Sequence, residues 1–121
     1  METILVVDDE QGILEALADL LGEEGYRVLT ASHGREALER MVELRPDLVL
    51  TDWMMPVLDG PALIERIRAE PAYQEVSLVG MSAVDVSSLR HLYPGMLFLQ
   101  KPFDIAALMR QVRKALDAKR A

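Results

Sequence analysis

The stretch Leu48-Val49-Leu50-Thr51-Asp52-Trp53-Met54-Met55-Pro56 is an apolar run that stops at a carboxylate and then breaks at a proline. A run without polar alternation has both faces buried, as a central strand of a parallel sheet does. Asp52 is then held at the mouth of the sheet, where buried strand becomes loop. In open α/β sheets, ligands and chemistry collect outside the carboxyl ends of the strands. What matters next is which other polar groups reach that rim.

Outward from this stretch, other short apolar runs have the same form. Ile4-Leu5-Val6-Val7 closes on Asp8-Asp9-Glu10, Val76 to Met81 terminates at Ser82-Ala83, and Met96-Leu97-Phe98-Leu99 ends at Gln100-Lys101-Pro102. Tyr26-Arg27-Val28-Leu29-Thr30 is more mixed, which suits an edge strand. Helical spacings lie between them. Ile13, Leu14, Leu17, Leu20 and Leu21 form a stripe stopped by Gly25. Ala37, Leu38, Met41 and Val42 follow Ser32 as a cap and end before Pro46. Leu63, Ile64 and Ile67 follow Asp59 as N-cap and Pro61 in the first turn, and Pro71 ends that helix. Ile105, Leu108, Met109, Val112 and Leu116 lie behind Asp104 as a cap. From Val84 to Pro94 the pattern supports one short, poorly capped helix through Ser87, Ser88, Leu89 and Leu92. Five strands thus alternate with five helices, with no repeat, linker or low-complexity tract. The prediction is one α/β domain over residues 1–121, a doubly wound five-stranded parallel sheet of the flavodoxin-like (βα)5 type. The order 2-1-3-4-5 fits, because it puts the mixed second strand on an edge and the first and third side by side.

The bulk numbers agree with this and exclude several classes. Half of the 121 residues are hydrophobic, enough for one compact core. The net charge of -7 speaks against nonspecific binding of nucleic acid or anionic membrane. Without cysteine there is no disulfide framework, thiolate nucleophile or Cys-type zinc site. The start, Met1-Glu2-Thr3 and a short apolar run, lacks the form of a secretory signal, and no apolar stretch is long enough to span a bilayer. The expectation is a cytoplasmic domain with no direct contact to nucleic acid or membrane. His33 and His91 have no partners at metal-ligand spacing and read as surface residues. Arg110, Arg113, Lys114, Lys119 and Arg120 read as a solvated helix face.

Asp8 and Asp9 end the first strand, Asp52 the third, Ser82 the fourth, and Lys101 follows the fifth, so the topology brings all five to one rim. Crowded carboxylates repel one another, and a cation relieves this more readily than protonation. All-oxygen ligands with open positions suit Mg²⁺, which keeps waters and is readily shared with a phosphate. Lys101 supplies a compact positive charge and Ser82 a hydroxyl donor. Together these groups describe a phosphoryl site with Asp52 as nucleophile, Asp8 and Asp9 holding metal, and Lys101 neutralising the transferred group. Singly, each has a plainer reading: Asp8 and Asp9 as a solvated turn or helix cap, Phe98 as core, and Asp59-Gly60 as helix-start chemistry. Trp53 could be a lid, a partner contact or an exposed loop aromatic.

With Val6-Val7-Asp8-Asp9-Glu10, Leu50-Thr51-Asp52-Trp53-Met54-Met55-Pro56 and Asp59-Gly60, Met81-Ser82-Ala83, and Phe98-Leu99-Gln100-Lys101-Pro102-Phe103, the chain resembles the receiver domain of two-component response regulators over essentially its whole length. The resemblance implies that Asp52 accepts phosphate from the phosphohistidine of a sensor histidine kinase. It implies Mg²⁺ held by Asp9, Asp52 and the Met54 backbone carbonyl, with Asp8 acting largely through water. Ser82 and Lys101 would contact phosphoryl oxygens, and Phe98 would be the switch aromatic. The Lys101-Pro102 bond would be cis. Output would pass through the face of the fourth helix, fifth strand and fifth helix, to a downstream protein, a covalently linked output domain or a second copy in a homodimer.

Two departures stand out. Only residues 83–100 separate Ser82 from Lys101, a few fewer than the family pattern has, and the shortage falls on the fourth helix. Apolar Met54 and Val84, two residues after Asp52 and Ser82, stand where polar side chains can help water attack the acyl phosphate, which predicts slow hydrolysis. The competing readings are a phosphorylation-independent interaction module on the same fold and an aspartyl-phosphate phosphatase. The latter needs an acid where Met54 stands. The motifs of P-loop NTPases and Rossmann dinucleotide binders are missing.

Overall fold

The computed structural model describes residues 1–120. The strands are β1 (Thr3–Val7), β2 (Arg27–Ala31), β3 (Leu48–Asp52), β4 (Ser77–Ser82) and β5 (Leu97–Gln100). The helices are α1 (Gln11–Glu23), α2 (Gly34–Glu43), α3 (Gly60–Ala69), α4 (Ser87–Leu92) and α5 (Ile105–Arg120). All four strand pairs are parallel, in the order β2-β1-β3-β4-β5. Each inner strand is largely apolar because alternate residues enter different cores. Ile4, Val6, Leu48, Leu50, Val79 and Met81 pack with α1 and α5, whereas Leu5, Val7, Val49 and Leu78 pack with α2, α3 and α4. The mixed β2 lies on an edge, as its pattern predicted. At only six residues, α4 is the short helix that the sequence implied.

Several local details differ from the sequence reading. The N-cap of α2 is His33 rather than Ser32: His33 Nδ1 accepts the Glu36 N–H at 3.2 Å, and the Glu36 carboxylate accepts the Ser32 N–H at 2.8 Å. His33 is therefore a half-buried structural residue, not a bare surface one, while His91 is exposed. Val42 follows Met41 off the buried stripe and is exposed, and Ile105 in the first turn of α5 is also exposed. A 3-10 turn at Pro71–Tyr73 follows α3, where the sequence suggested only a stop. Asp59 and Asp104 cap α3 and α5 as expected, accepting from Ala62 and Ala107. Arg110, Arg113 and Lys114 are exposed, whereas the side chains of Lys119 and Arg120 lie outside the described residues. No described helix is long and apolar enough to cross a membrane.

Candidate functional site

Strand register assembles the site. Val7 lies beside Thr51 in the β1–β3 pair, so the following residues, Asp8 and Asp52, emerge side by side. Asp52 in turn pairs with Met81, and Ser82 with Gln100, which puts Ser82 and Lys101 one step beyond. The Lys101 N–H donates to the Ser82 carbonyl at 2.7 Å, tying the ends of β4 and β5 together. The Lys101-Pro102 peptide is cis.

The ammonium of Lys101 reaches both buried acids, at 3.1 Å from Asp52 Oδ1 and 3.4 Å from Asp8 Oδ2. Asp8 is fully buried, and its other oxygen accepts the Glu10 N–H at 2.9 Å, so both its acceptors are committed. On Asp52 both partners fall on one oxygen: Oδ1 takes Lys101 and the Trp53 N–H at 3.0 Å. No described residue bonds Oδ2, and among the described residues no buried side-chain oxygen lacks a partner, so Oδ2 faces solvent. Thr51 Oγ1 donates to the Asp52 carbonyl at 2.9 Å and holds the backbone beneath it. The Ser82 hydroxyl accepts the Val84 N–H at 3.2 Å.

Burial raises the Asp52 pKa, reinforced by the nearby Asp8 charge and only partly offset by Lys101 and the Trp53 amide. For Lys101, burial lowers the pKa, but hydrogen bonding and charge attraction from Asp52 and Asp8 outweigh it and the net shift is upward. The lysine stays protonated beside an aspartate strained in its ionised form. Asp9 is exposed at the rim, and carboxylate oxygens of Asp8, Asp9 and Asp52 all lie within 4.8 Å of one another. Three carboxylates against one ammonium leave an excess negative charge in a cluster of hard oxygens. That donor set fits a divalent cation of the magnesium type.

The chain matches the model for the response regulator receiver domain over residues 4–113. It belongs to the response-regulator receiver family. It is 33% identical to sporulation initiation phosphotransferase F of Bacillus subtilis, across 98% of this chain and 96% of that protein. It spans about half the length of other relatives it matches, such as the transcriptional regulatory protein PrrA of Mycobacterium leprae, of which it covers 49% at 35% identity. Among solved structures, the chemotaxis protein CheY4 of Vibrio cholerae superposes with a TM-score of 0.88 at 27% identity, over 96% of this chain and 99% of that one. The receiver domain of the Pseudomonas aeruginosa sensor histidine kinase PA1611, solved with magnesium in its active-site cleft, gives 0.85 at 30% identity over 96% and 98%.

In this receiver domain the structure gathers Asp8, Asp9, Asp52, Ser82 and Lys101 at one rim. Met54 lies two residues along the same loop with its side chain exposed, and Val84 is exposed beyond Ser82. Phe98 does not reach the rim; it is buried beneath it. Trp53 is neither lid nor exposed aromatic. It is buried, with ring centroids 5.2 Å from Phe98 and 5.1 Å from Tyr93, both edge-on. Gly60 matters more than its helix-start reading suggested. A Cβ there would sit 2.7 Å from Trp53 Cε3 and 3.0 Å from the Asp52 carbonyl, so the glycine lets α3 close against Trp53 and Asp52. Gln100 was also missed. Its side chain accepts the Val86 N–H at 3.1 Å and donates to the Ala83 carbonyl at 3.0 Å, stapling the loop after Ser82 to β5. A glutamine beside the lysine carries no distinctive sequence pattern, so only the folded contact reveals it.

Proposed function

We propose that Asp52 is the phosphoacceptor of a cytoplasmic phosphorelay, receiving the phosphoryl group from the phosphohistidine of a sensor histidine kinase, and that residues 1–121 work as one receiver domain. The observation that carries this is the 3.1 Å contact of Lys101 Nζ with Asp52 Oδ1, which leaves Oδ2 open to solvent. Oδ2 is the attacking oxygen: an O–P bond forms as the P–N bond to the donor imidazole breaks. Lys101 holds one phosphoryl oxygen, and the Ser82 hydroxyl donates to another. Asp9, Asp52 and the Met54 backbone carbonyl would hold Mg²⁺, with Asp8 contributing through water. When bound, the ion neutralises charge on the transferred group.

Ser82 and Phe98 form the relay to the face of α4, β5 and α5, which contacts a downstream protein or a linked output domain. The domain assists its own phosphorylation and dephosphorylation but turns over no separate substrate. A phosphatase would need an acid at Met54. Incubation with acetyl phosphate and Mg²⁺, followed by intact-mass measurement, tests the assignment. One phosphoryl adduct is expected on the wild type and none on Asp52→Asn. An adduct that persists in Asp52→Asn refutes the acceptor. Beryllofluoride should change Trp53 emission in the wild type and leave it unchanged in Asp52→Asn.

A further inference from the structure

Gln100 closes β5. Its backbone pairs with Ser82 and Lys101 follows it, so it stands between the two residues proposed to hold phosphoryl oxygens. Its side-chain amide is used twice, both times on the loop that leaves Ser82. Oε1 accepts the Val86 N–H at 3.1 Å, and Nε2 donates to the Ala83 carbonyl at 3.0 Å. Val86 is the N-cap of α4, and its apolar side chain makes no cap bond. A helix of six residues has little stability of its own, so its entry depends on outside partners. Asp85 supplies one set, accepting the Ser87 N–H at 3.0 Å and the Ser87 hydroxyl at 2.8 Å. Gln100 supplies the other from a different element, and one side chain thereby pins residues 83–86 at both ends.

The pinned loop contains the partner of the Ser82 hydroxyl. Ser82 Oγ accepts the Val84 N–H at 3.2 Å and makes no other hydrogen bond among the described residues. To donate to a phosphoryl group on Asp52, the hydroxyl must either turn away from Val84 or draw the loop with it. Turning alone gives up the Val84 bond. Keeping that bond means moving residues 83–86, which strains or breaks both bonds to Gln100. We propose that Gln100 is a positioning residue: a latch that favours the loop arrangement in which Ser82 is bonded to Val84, and so sets how readily the site captures a phosphoryl group. The inference rests on the proposed contact of Ser82 with a phosphoryl oxygen. Both amide bonds are neutral and at least partly exposed, and each contributes modestly, so together they bias the loop about tenfold. A plain structural staple differs from a latch in one respect: only the latch must act through the Ser82 hydroxyl.

The test is the affinity of the full chain for beryllofluoride at saturating Mg²⁺, read by fluorine NMR, with near-UV circular dichroism to confirm folding. Gln100 is exposed, so Gln100→Met removes both bonds without opening a cavity. It should bind beryllofluoride about tenfold more tightly than the wild type. Gln100→Asn keeps the amide but is one methylene too short to span both partners, and it should tighten binding in the same direction. In a Ser82→Ala background, Gln100→Met should change the affinity by less than about twofold, because no hydroxyl is left to hold back. A structural staple would act alike in both backgrounds. Unchanged or weaker beryllofluoride binding by Gln100→Met and Gln100→Asn overturns the latch, and so does equal tightening with and without the Ser82 hydroxyl. In either case the chemistry at Asp52 stands. A wild type that binds no beryllofluoride refutes the receiver chemistry itself, and the latch falls with it.

Discussion

Lys101→Ala separates the charge balance of this site from its packing. The side chain is 20% exposed and holds two carboxylates whose side chains are 0% and 11% exposed. At an effective dielectric of about 20, each contact represents roughly 5 kcal/mol of attraction, most of it offset by the desolvation of both charges. Removing the cation leaves the acids buried and unopposed, a loss usually of about 3–5 kcal/mol, and the partial exposure of Lys101 places it near the lower value. For a chain of this length 1 kcal/mol moves the midpoint by about 4 °C, so the variant should melt about 12 °C lower at neutral pH without divalent cations. The deficit should depend on pH in a defined direction. The Asp52 pKa is raised in the folded state above its ordinary 3.8, so the fold holds that proton more tightly than the unfolded chain. Stability from this group is therefore greatest in acid and is lost as pH rises through the folded pKa. Without Lys101 the Asp52 pKa rises further, so the melting deficit should shrink as the buffer is acidified. Magnesium supplies the counter-test, because it and the ammonium act on the same oxygens. At ten times the wild-type Kd the ion should stabilise the wild type by about 1.4 kcal/mol. The same concentration should stabilise Lys101→Ala by more, because the ion meets no competing cation. Thermal unfolding by near-UV circular dichroism, with and without Mg²⁺ and at two pH values, reads all three effects. Equal magnesium-induced shifts in the two proteins would refute the shared-oxygen argument.

Other perturbations follow from the same contacts. Asp52→Asn removes a buried charge that the fold holds at a cost, so without divalent cations it should melt a few degrees above wild type; a lower midpoint would contradict the strained-carboxylate account. Met54→Asn should shorten the lifetime of the phosphoryl adduct about tenfold by orienting water at the rim, read by intact mass over time. An unchanged lifetime counts against the explanation for slow hydrolysis. Gly60→Ala forces a Cβ into contact with Trp53 and the backbone of Asp52. It should cost about 2 kcal/mol, shift Trp53 emission and slow phosphorylation. Gly22→Ala, where nothing lies within 4 Å of the added carbon, should do none of these.

Much of this molecule is legible before folding because its signals are local and redundant. The runs Ile4 to Val7 and Leu48 to Leu50 are apolar at every position, which only a strand covered on both faces tolerates, and the structure divides their residues between two cores. The polar residue ending each run is then placed by register alone, so Asp8, Asp52, Ser82 and Lys101 could be gathered at one rim without a contact map. What failed was whatever depended on a neighbour distant in sequence. Ser32 and His33 are both reasonable caps by chemistry, and only the reciprocal bonds with Glu36 choose between them. Val42 and Ile105 carry the right spacing but are exposed, at the margins of their stripes.

Trp53 is the most instructive of these failures. Following a buried strand and preceding Met54 and Pro56, it looks like a loop aromatic. Its burial is made by Gly60, which lets α3 approach, and by Gly80, where a Cβ would sit 2.7 Å from Phe98 Cε1 and 3.2 Å from the indole. The two glycines, Phe98 and Tyr93 shape one slot, and no single position reveals it. That slot adjoins Asp52: the Trp53 N–H donates to Asp52 Oδ1, and its ring packs edge-on against Phe98. If Asp52 is the acceptor as proposed, displacement of its Oδ1 toward an added phosphoryl group would load the Trp53 backbone directly. Tryptophan emission should then follow beryllofluoride concentration with the same dependence as occupancy of the site read by fluorine NMR. Bound beryllofluoride without a change in Trp53 emission would refute the coupling.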